Sequence, residues 1–129
     1  MASNPPPDRP KVLVVEDEFI IADEIAMIVE GAGHAVIGPV ASVEDASAML
    51  AADRPDFAII DANLRGQSSS PLARSLAGME IPFCICTGYR IDDLKPAFGD
   101  VAVIQKPVRD KALLTVLNQA LAGIEARDR

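Results

Sequence analysis

Polar side chains that could do chemistry follow several short aliphatic runs, directly or almost directly after each run ends. The runs are residues 12–15, 57–60, 82–86 and 101–104, and the polar residues after them are Glu16 with Asp17, Asp61, Thr87 and Lys106. Runs of this length are typical of strands that are buried on both faces. If the strands are parallel, their carboxyl ends meet at one edge of a sheet, where ligands bind in open α/β folds. The five side chains are therefore predicted to share one shallow pocket.

A pocket that holds three carboxylates, one hydroxyl and one ammonium has a narrow range of chemistry. Clustered carboxylates repel one another, and their pKa values rise unless a cation compensates them. A few carboxylate oxygens with room for water suit Mg²⁺ better than zinc or a calcium cage. Asp61 is the candidate nucleophile, because carboxylates form acyl-phosphate intermediates. Lys106 offers a mobile charge for a carboxylate or a phosphoryl oxygen, and Thr87 offers a hydroxyl donor.

The elements that must position these residues alternate between strand and helix patterns. Five strands are predicted at residues 12–15, 35–37, 57–60, 82–87 and 101–104, and helical patterns follow from about Ile21, Ser42, Ser70 and Leu113. Repeated β-α units with right-handed crossovers predict an α/β fold, a doubly wound five-stranded parallel sheet with helices on both faces. The proline-rich residues 1–10 are predicted to be a flexible tail, residues 11–125 one domain and residues 126–129 a second tail.

Four local features are predicted outside the pocket. Ser42, three residues before Asp45, is a predicted helix N-cap. Ser70, directly before a proline, is predicted to cap the third helix. The polar residues 65–70 are predicted to form a mobile loop. His34 is predicted to be a solvated loop residue away from the pocket.

Composition and charge exclude several classes of function. The formal charge of −7 repels nucleic acid and anionic membranes, so neither is expected as a direct partner. No signal peptide or membrane span is evident, and a cytoplasmic location is expected. Cys84 and Cys86 would point to the same face of a strand and are expected to be buried free thiols. Dinucleotide binding would need a glycine-rich turn after the first strand, where an acidic run stands instead.

The combination of motifs resembles the response-regulator receiver domains of two-component signalling. The resemblance covers about residues 11–122, with the motifs VVEDE at 14–18, IIDANL at 59–64, CTG at 86–88 and QKP at 105–107. It implies the flavodoxin-like (βα)5 receiver fold and phosphoryl transfer from a sensor histidine kinase to Asp61. It also implies that the chain is a phosphoacceptor signalling domain, catalysing only its own phosphorylation and dephosphorylation.

The same resemblance implies a role for each residue of the pocket. The implied Mg²⁺ ligands are Asp17 directly, Glu16 through water, Asp61, and Asn63 through its backbone carbonyl. Thr87 and Lys106 are expected to contact the phosphoryl group. The Lys106–Pro107 peptide bond is expected to be cis, which only proline permits at small cost.

Residues 82–89 resemble one subgroup of receivers, the FAT GUY group, named for a Phe-Ala-Thr-Gly-Gly/Tyr motif. The match is partial, because Ile85 and Cys86 stand where that motif has Phe and Ala. The subgroup implies a histidine kinase of the HWE/HisKA2 type and an alphaproteobacterial source.

Signal transmission is expected to differ from that of most receivers. Most carry Tyr or Phe three residues before the lysine, and Val103 stands at that position here. Without this aromatic switch, Thr87, Gly88 and Tyr89 are expected to reorganise the following segment, residues 90–98, when the domain is phosphorylated. A bulky Tyr89 ring is also in a position to slow hydrolysis of the acyl phosphate.

The same residues argue against two other functions. A haloacid-dehalogenase-like phosphatase needs a second carboxylate two residues after the nucleophile, where Asn63 stands. A receiver-like module that docks without phosphorylation usually lacks the acceptor, the acid pair or the lysine, and this chain has all three. With no output domain expected, a stand-alone receiver would signal through a protein contact or serve as a phosphate shuttle or sink. It is expected to be a monomer or weak dimer.

Overall fold

The computed structural model describes residues 9–88 and 93–127, and they form seven strands and five helices. The strands are β1 (Lys11–Val15), β2 (Ala35–Val40), β3 (Phe57–Asp61), β4 (Asn63–Leu64), β5 (Gln67–Ser68), β6 (Phe83–Thr87) and β7 (Ala102–Gln105). The helices are α1 (Phe19–Gly31), α2 (Val43–Ala52), α3 (Ser70–Gly78), α4 (Lys95–Phe98) and α5 (Asp110–Arg127). Of the predicted tails, residues 1–8 and 128–129 lie outside the described residues. Pro10 is buried and accepts a hydrogen bond from the N–H of Ala35, and residues 126 and 127 belong to α5, so these positions are not tail.

The main sheet has five parallel strands in the order β2-β1-β3-β6-β7. The strand order reverses at β1, so the ends of β1 and β3 form the crevice in which ligands bind in such sheets. The register pairs Val15 with Ile60 and Asp61 with Cys86. The carboxyl ends of the central strands therefore lie side by side, as the alternating sequence pattern predicts.

Two hydrophobic clusters cover the two faces of the sheet. Leu13, Ile60 and Ile85 face the cluster that includes residues of α2 and α3. Their neighbours along the strands face the cluster that includes residues of α1 and α5. Because both faces are covered, each central strand is a nearly continuous aliphatic run. Each fully buried Leu or Ile side chain contributes about 1.5–3 kcal/mol relative to an exposed one. The doubly wound α/β prediction is confirmed.

Strand β2 is longer than predicted and carries an irregularity that supports the site. Its register with β1 shifts between the pairs Leu13–Ile37 and Val15–Val40. Gly38 lies in this irregularity with a φ of +93°, and the Gly38–Pro39 peptide bond is cis. A Cβ on Gly38 would lie 2.8 Å from the backbone nitrogen of Val40, so only glycine fits. Directly after the irregularity, the carbonyl of Val40 accepts a hydrogen bond from the N–H of Glu16 at 2.9 Å.

The cap prediction for Ser42 is confirmed, and the prediction for Ser70 is wrong. The Ser42 hydroxyl accepts a hydrogen bond from the N–H of Asp45 at 3.1 Å. Ser70 is instead the first residue of α3, and Ser69 takes the N-cap position without a side-chain capping bond. The Ser69 hydroxyl instead donates to the backbone carbonyl of Asp61.

Residues 65–70 are also more ordered in structure than the predicted loop. Strands β4 and β5 form an antiparallel hairpin around Arg65 and Gly66. Both residues have positive φ, 52° and 81°, as a two-residue hairpin turn with φ > 0 at both positions requires. The polar composition gave no indication of this hairpin because its strands are only two residues long.

The prediction that His34 is solvated is wrong, and the prediction for the cysteines is confirmed. His34 is only 5% exposed, although it lies in the connection between the end of α1 and the start of β2. Cys84 and Cys86 are free, buried and directed to the same face of the sheet. Within the part of the chain that the structure describes, no helix is both long and apolar enough to span a bilayer.

Candidate functional site

The ammonium group of Lys106 lies among three carboxylates at the carboxyl edge of the sheet. Its Nζ atom is 2.8 Å from Asp61 Oδ2, 3.0 Å from Glu16 Oε1 and 3.4 Å from Glu18 Oε1. Asp61 and Glu16 are buried, whereas the Glu18 side chain is exposed. One ammonium is thus the local compensation for two buried carboxylates.

Backbone N–H groups fix the orientation of each carboxylate. Glu16 Oε2 accepts from the N–H of Glu18 at 3.1 Å, and Asp61 Oδ1 accepts from the N–H of Asn63 at 3.2 Å. Asp17 Oδ2 accepts from the N–H of Arg65, in the hairpin turn, at 2.9 Å. The site is therefore held by the backbone of two segments, the turn after β1 and the β4–β5 hairpin.

The protonation states follow from this environment. Burial raises the pKa of Glu16 to about 7; the neighbouring Asp61 adds to the rise, and the Glu18 N–H and Lys106 oppose it. Burial also acts to raise the pKa of Asp17, but the Arg65 N–H bond and other contacts outweigh it, so that pKa is lowered. For Lys106, burial favours the neutral amine, and the Asp61 and Glu16 carboxylates outweigh it and raise the pKa. The site thus carries more negative charge than its single ammonium balances.

The donor set fits a hard divalent cation. One carboxylate oxygen from each of Glu16, Asp17 and Glu18 lies within 4.8 Å of the others. Glu16 Oε1 is buried without a hydrogen bond of good geometry, although Lys106 lies near it. Oxygen ligands with space for water match the requirements of Mg²⁺. The cluster contains two of the three predicted acidic ligands, Glu16 and Asp17, and adds Glu18, which the prediction left out; Asp61 is not part of it.

Thr87 and Lys106 are brought together by the backbone at the ends of β6 and β7. The N–H of Lys106 donates to the carbonyl of Thr87 at 2.8 Å, and Thr87 is buried. The Lys106–Pro107 peptide bond is cis, the geometry that the sequence predicts. Together with Glu16, Asp17 and Asp61, all five predicted side chains thus lie at the carboxyl edge of one sheet.

The profile of the response regulator receiver domain family matches residues 12–118. The chain belongs to this family. Receiver domains act in two-component signalling together with histidine kinases and typically use Mg²⁺.

The domain is similar in sequence and fold to the receiver domain of the regulator PhyR. It is 33% identical over 120 residues to the phyllosphere-induced regulator PhyR of Methylorubrum extorquens, covering 86% of this chain and 43% of PhyR. The solution structure of the PhyR receiver domain of Erythrobacter litoralis is 24% identical, with a TM-score of 0.80 over 88% of this chain and 91% of that one. A CheY-like receiver of Methanospirillum hungatei JF-1 is 22% identical, with a TM-score of 0.79 over 92% and 98% of the two chains. The chain spans less than half the length of the curated relatives it matches.

Of the residues predicted to act as the switch, Gly88 and Val103 lie in different environments. Gly88 is exposed, and a Cβ added there would meet no atom within 4 Å. Val103 is partly buried, pairs with Ile85 in the sheet and packs beside the core of the receiver domain. Tyr89 lies outside the described residues. Val103 therefore places a branched aliphatic side chain at the position of the predicted switch.

Ser69 belongs to the site, although the sequence gave no reason to select it. It is 0% exposed, and its hydroxyl donates to the backbone carbonyl oxygen of Asp61 at 2.6 Å. In the sequence it is the middle residue of three consecutive serines, which is typical of a solvated loop. The contact depends on the β4–β5 hairpin, so spacing alone does not reveal it.

An apolar surface lies next to the acidic cluster of the receiver domain. Phe19 and Ile20, at the start of α1, are 84% and 73% exposed. Phe19 also lines a cavity of about 340 Å³ together with Glu16, Asp17 and Arg65. Exposed hydrophobic patches that are rimmed by polar residues are typical of protein-interaction surfaces.

Proposed function

We propose that this receiver domain accepts a phosphoryl group on Asp61, in a Mg²⁺-dependent reaction, from a sensor histidine kinase. The observation that carries the proposal is the position of Lys106 Nζ, within 3.0 Å of carboxylate oxygens of both Asp61 and Glu16. A cation at this point neutralises the nucleophile at rest and can follow the negative charge to the incoming phosphoryl oxygens.

The described contacts assign a task to each residue. An Asp61 oxygen attacks phosphorus, so an O–P bond forms while the P–N bond of the phosphohistidine donor breaks. The Asn63 N–H holds Oδ1 of Asp61 in place. Glu16 and Asp17 would hold the metal, together with Asp61 and the Asn63 carbonyl. When bound, Mg²⁺ supplies neutralisation of charge on the phosphoryl oxygens. Thr87 would donate its hydroxyl to one of those oxygens.

The proposed kinase docks on the exposed apolar start of α1. Phe19 and Ile20 are strongly exposed and lie three and four residues after Glu16. A protein donor must bring its histidine within reach of Asp61, and an apolar contact beside the site would supply the required orientation. The resemblance of residues 82–89 to the FAT GUY group supports a kinase of the HWE/HisKA2 type, acting in the cytoplasm.

The proposed output is a contact with another protein, made by the segment after β6. The structure of PhyR from Bartonella quintana, of which this chain covers 50%, is named as that of an anti-anti-sigma factor. In this chain, Leu94 and Phe98 pack on the same cluster as Val103. We expect Thr87, Gly88 and Tyr89 to transmit the conformational effect of phosphorylation to residues 90–98. Amide hydrogen exchange in residues 90–98 should change on phosphorylation, and unchanged exchange there would contradict this route.

Intact-mass measurement after incubation with phosphoramidate or acetyl phosphate tests the acceptor chemistry. The wild-type chain should gain one phosphoryl group with Mg²⁺ and none with EDTA. Asp61→Asn should gain none, whereas Asp100→Asn, at an exposed position outside the site, should match wild type. Uptake by Asp61→Asn would refute the assignment. If wild type gains nothing from small donors or from a kinase, a docking role without phosphorylation would replace it.

A further inference from the structure

Ser69 is a fully buried polar residue to which the proposed chemistry gives no task. Its hydroxyl donates to the carbonyl oxygen of Asp61 at 2.6 Å, and its N–H donates to the carbonyl oxygen of Ala62 at 3.0 Å. The two contacts span eight and seven residues of chain and close the base of the β4–β5 hairpin. One residue therefore holds two successive carbonyl groups directly at the proposed phosphoacceptor.

The carbonyl of Asp61 needs a partner outside the sheet. The register of β1 with β3 ends at the pair Val15–Ile60, so β1 offers no residue opposite Asp61. The N–H of Ala62, in the same peptide group, points towards β6 and donates to the carbonyl of Cys86 at 3.0 Å, so the carbonyl of Asp61 points away from β6. A buried carbonyl without a partner is unfavourable, so the Ser69 hydroxyl satisfies a real need at this point.

We propose that Ser69 is a positioning residue for the phosphoryl transfer to Asp61. Its hydroxyl fixes the peptide group that joins Asp61 to Ala62, and this sets the direction in which the Asp61 carboxylate leaves the sheet. The inference rests on the proposed function of Asp61. In-line transfer needs the attacking oxygen aligned with the bond that breaks, and small displacements have large effects on such rates.

The hairpin extends the effect of Ser69 to the other side of the site. The same hairpin carries Asn63, whose N–H donates to Asp61 Oδ1, and Arg65, whose N–H donates to Asp17 Oδ2. Anchoring the base of the hairpin thus steadies two carboxylates at once. A residue that served only to begin helix α3 would have no such connection, and Ser69 makes no side-chain capping bond to that helix.

The test compares Ser69→Ala with Ser75→Ala. The Ser75 hydroxyl also donates to a backbone carbonyl, that of Pro71 at 3.2 Å, but on the exposed side of α3 and without contact to the site. With phosphoramidate and saturating Mg²⁺, the maximal phosphorylation rate of Ser69→Ala should fall between about tenfold and a hundredfold. Ser75→Ala should keep the wild-type rate. Ser69→Thr, which retains the hydroxyl, should recover most of the loss.

All variants are first shown by urea unfolding to be fully folded under the assay conditions. If Ser69→Ala does not fold, Ser69→Cys, which nearly keeps the volume but donates weakly, replaces it with the same expected loss of rate. A folded variant without the hydroxyl that reacts at the wild-type rate overturns the positioning role.

A second readout separates this inference from the proposed function. The ¹³C shift of the Asp61 carbonyl and the amide exchange of Ala62 and Asn63 should change in Ser69→Ala and not in Ser75→Ala, with no phosphoryl donor present. If these change while the rate does not, Ser69 is structural only. If wild type accepts no phosphoryl group from any donor, the proposed function of Asp61 fails, and the positioning role fails with it.

Discussion

The Lys106 ammonium and the Asp61 carboxylate are 2.8 Å apart, although 45 residues of chain separate them. Glu16 lies 3.0 Å from the same ammonium. The two carboxylates therefore share one cation and interact with each other, as the influence of Asp61 on the pKa of Glu16 also indicates. A second cation that binds in the site relieves this repulsion. Metal binding should therefore raise the free energy of unfolding of the domain.

Replacing Lys106 by Met should destabilise the metal-free protein. The change keeps most of the side-chain volume but leaves Glu16 and Asp61 buried without their cation. Removing one partner of a buried ion pair costs roughly 3–5 kcal/mol, and the partial exposure of Lys106 reduces the expected loss to about 2–3 kcal/mol. Urea unfolding in EDTA at pH 8 measures it.

The double variant with Asp61→Asn provides the control for Lys106→Met. Removing the Asp61 charge as well should recover part of the lost free energy of unfolding, because less like charge then faces Glu16. Equal losses in the single and double variants would show that packing, and not charge, accounts for the role of Lys106 in stability.

The stability of the metal-free protein should depend on pH through Glu16. Its pKa is about 7 in the folded protein against an ordinary value of 4.5, so the folded state binds more protons between these values. The free energy of unfolding should therefore fall as pH rises through this window, and added Mg²⁺ should stabilise more at pH 8 than at pH 6. Glu16→Gln should flatten the pH profile measured in EDTA. A wild-type profile as flat as that of the variant would contradict the prediction.

The main sheet and the predicted site residues could be derived from sequence because one pattern recurs along the chain. Each central strand is an aliphatic run that ends at a polar residue, and parallel strands bring those ends together. Asp61, Thr87 and Lys106 therefore meet at one edge whatever the details of the loops. The strand pattern contains this information even though it says nothing of distances.

The features that sequence reasoning missed are those that depend on a local turn or on burial by distant residues. Arg65 contributes only its backbone N–H, which no side-chain pattern can indicate. Ser69 is buried because the β4–β5 hairpin folds it under Asp61. His34 follows a glycine in a short connection, where exposure is the usual outcome, and the packing of its neighbours buries it instead.

Gly38→Ala should destabilise the domain more than Gly33→Ala. Both glycines have nearly the same φ, +93° and +94°, so the two variants share the cost of a strained backbone. Only at Gly38 would the new Cβ collide with backbone, 2.8 Å from Val40 N and 3.1 Å from Val14 O. We expect about 1–2 kcal/mol at Gly33 and at least about 1 kcal/mol more at Gly38, measured by urea unfolding. Similar losses at the two positions would show that the close approach in β2 relaxes easily. Because Glu16 N–H donates to Val40, Gly38→Ala should also weaken Mg²⁺ binding.

Ile20→Ala should impair phosphorylation by a histidine kinase and leave phosphorylation by phosphoramidate unchanged. Ile20 is 73% exposed at the start of α1, so its truncation removes little buried surface from the domain, and stability should change by less than about 0.5 kcal/mol. If the side chain is buried by the docked kinase, its loss should cost roughly 1–2 kcal/mol of binding, a five- to thirtyfold fall in kcat/KM for transfer. The small donor needs no docking surface, so its rate on the same protein is the internal control. A kinase that phosphorylates wild type and Ile20→Ala with the same kcat/KM would place the docking surface elsewhere on the domain. A parallel loss with both donors would instead show that the start of α1 supports the geometry of the acidic cluster itself.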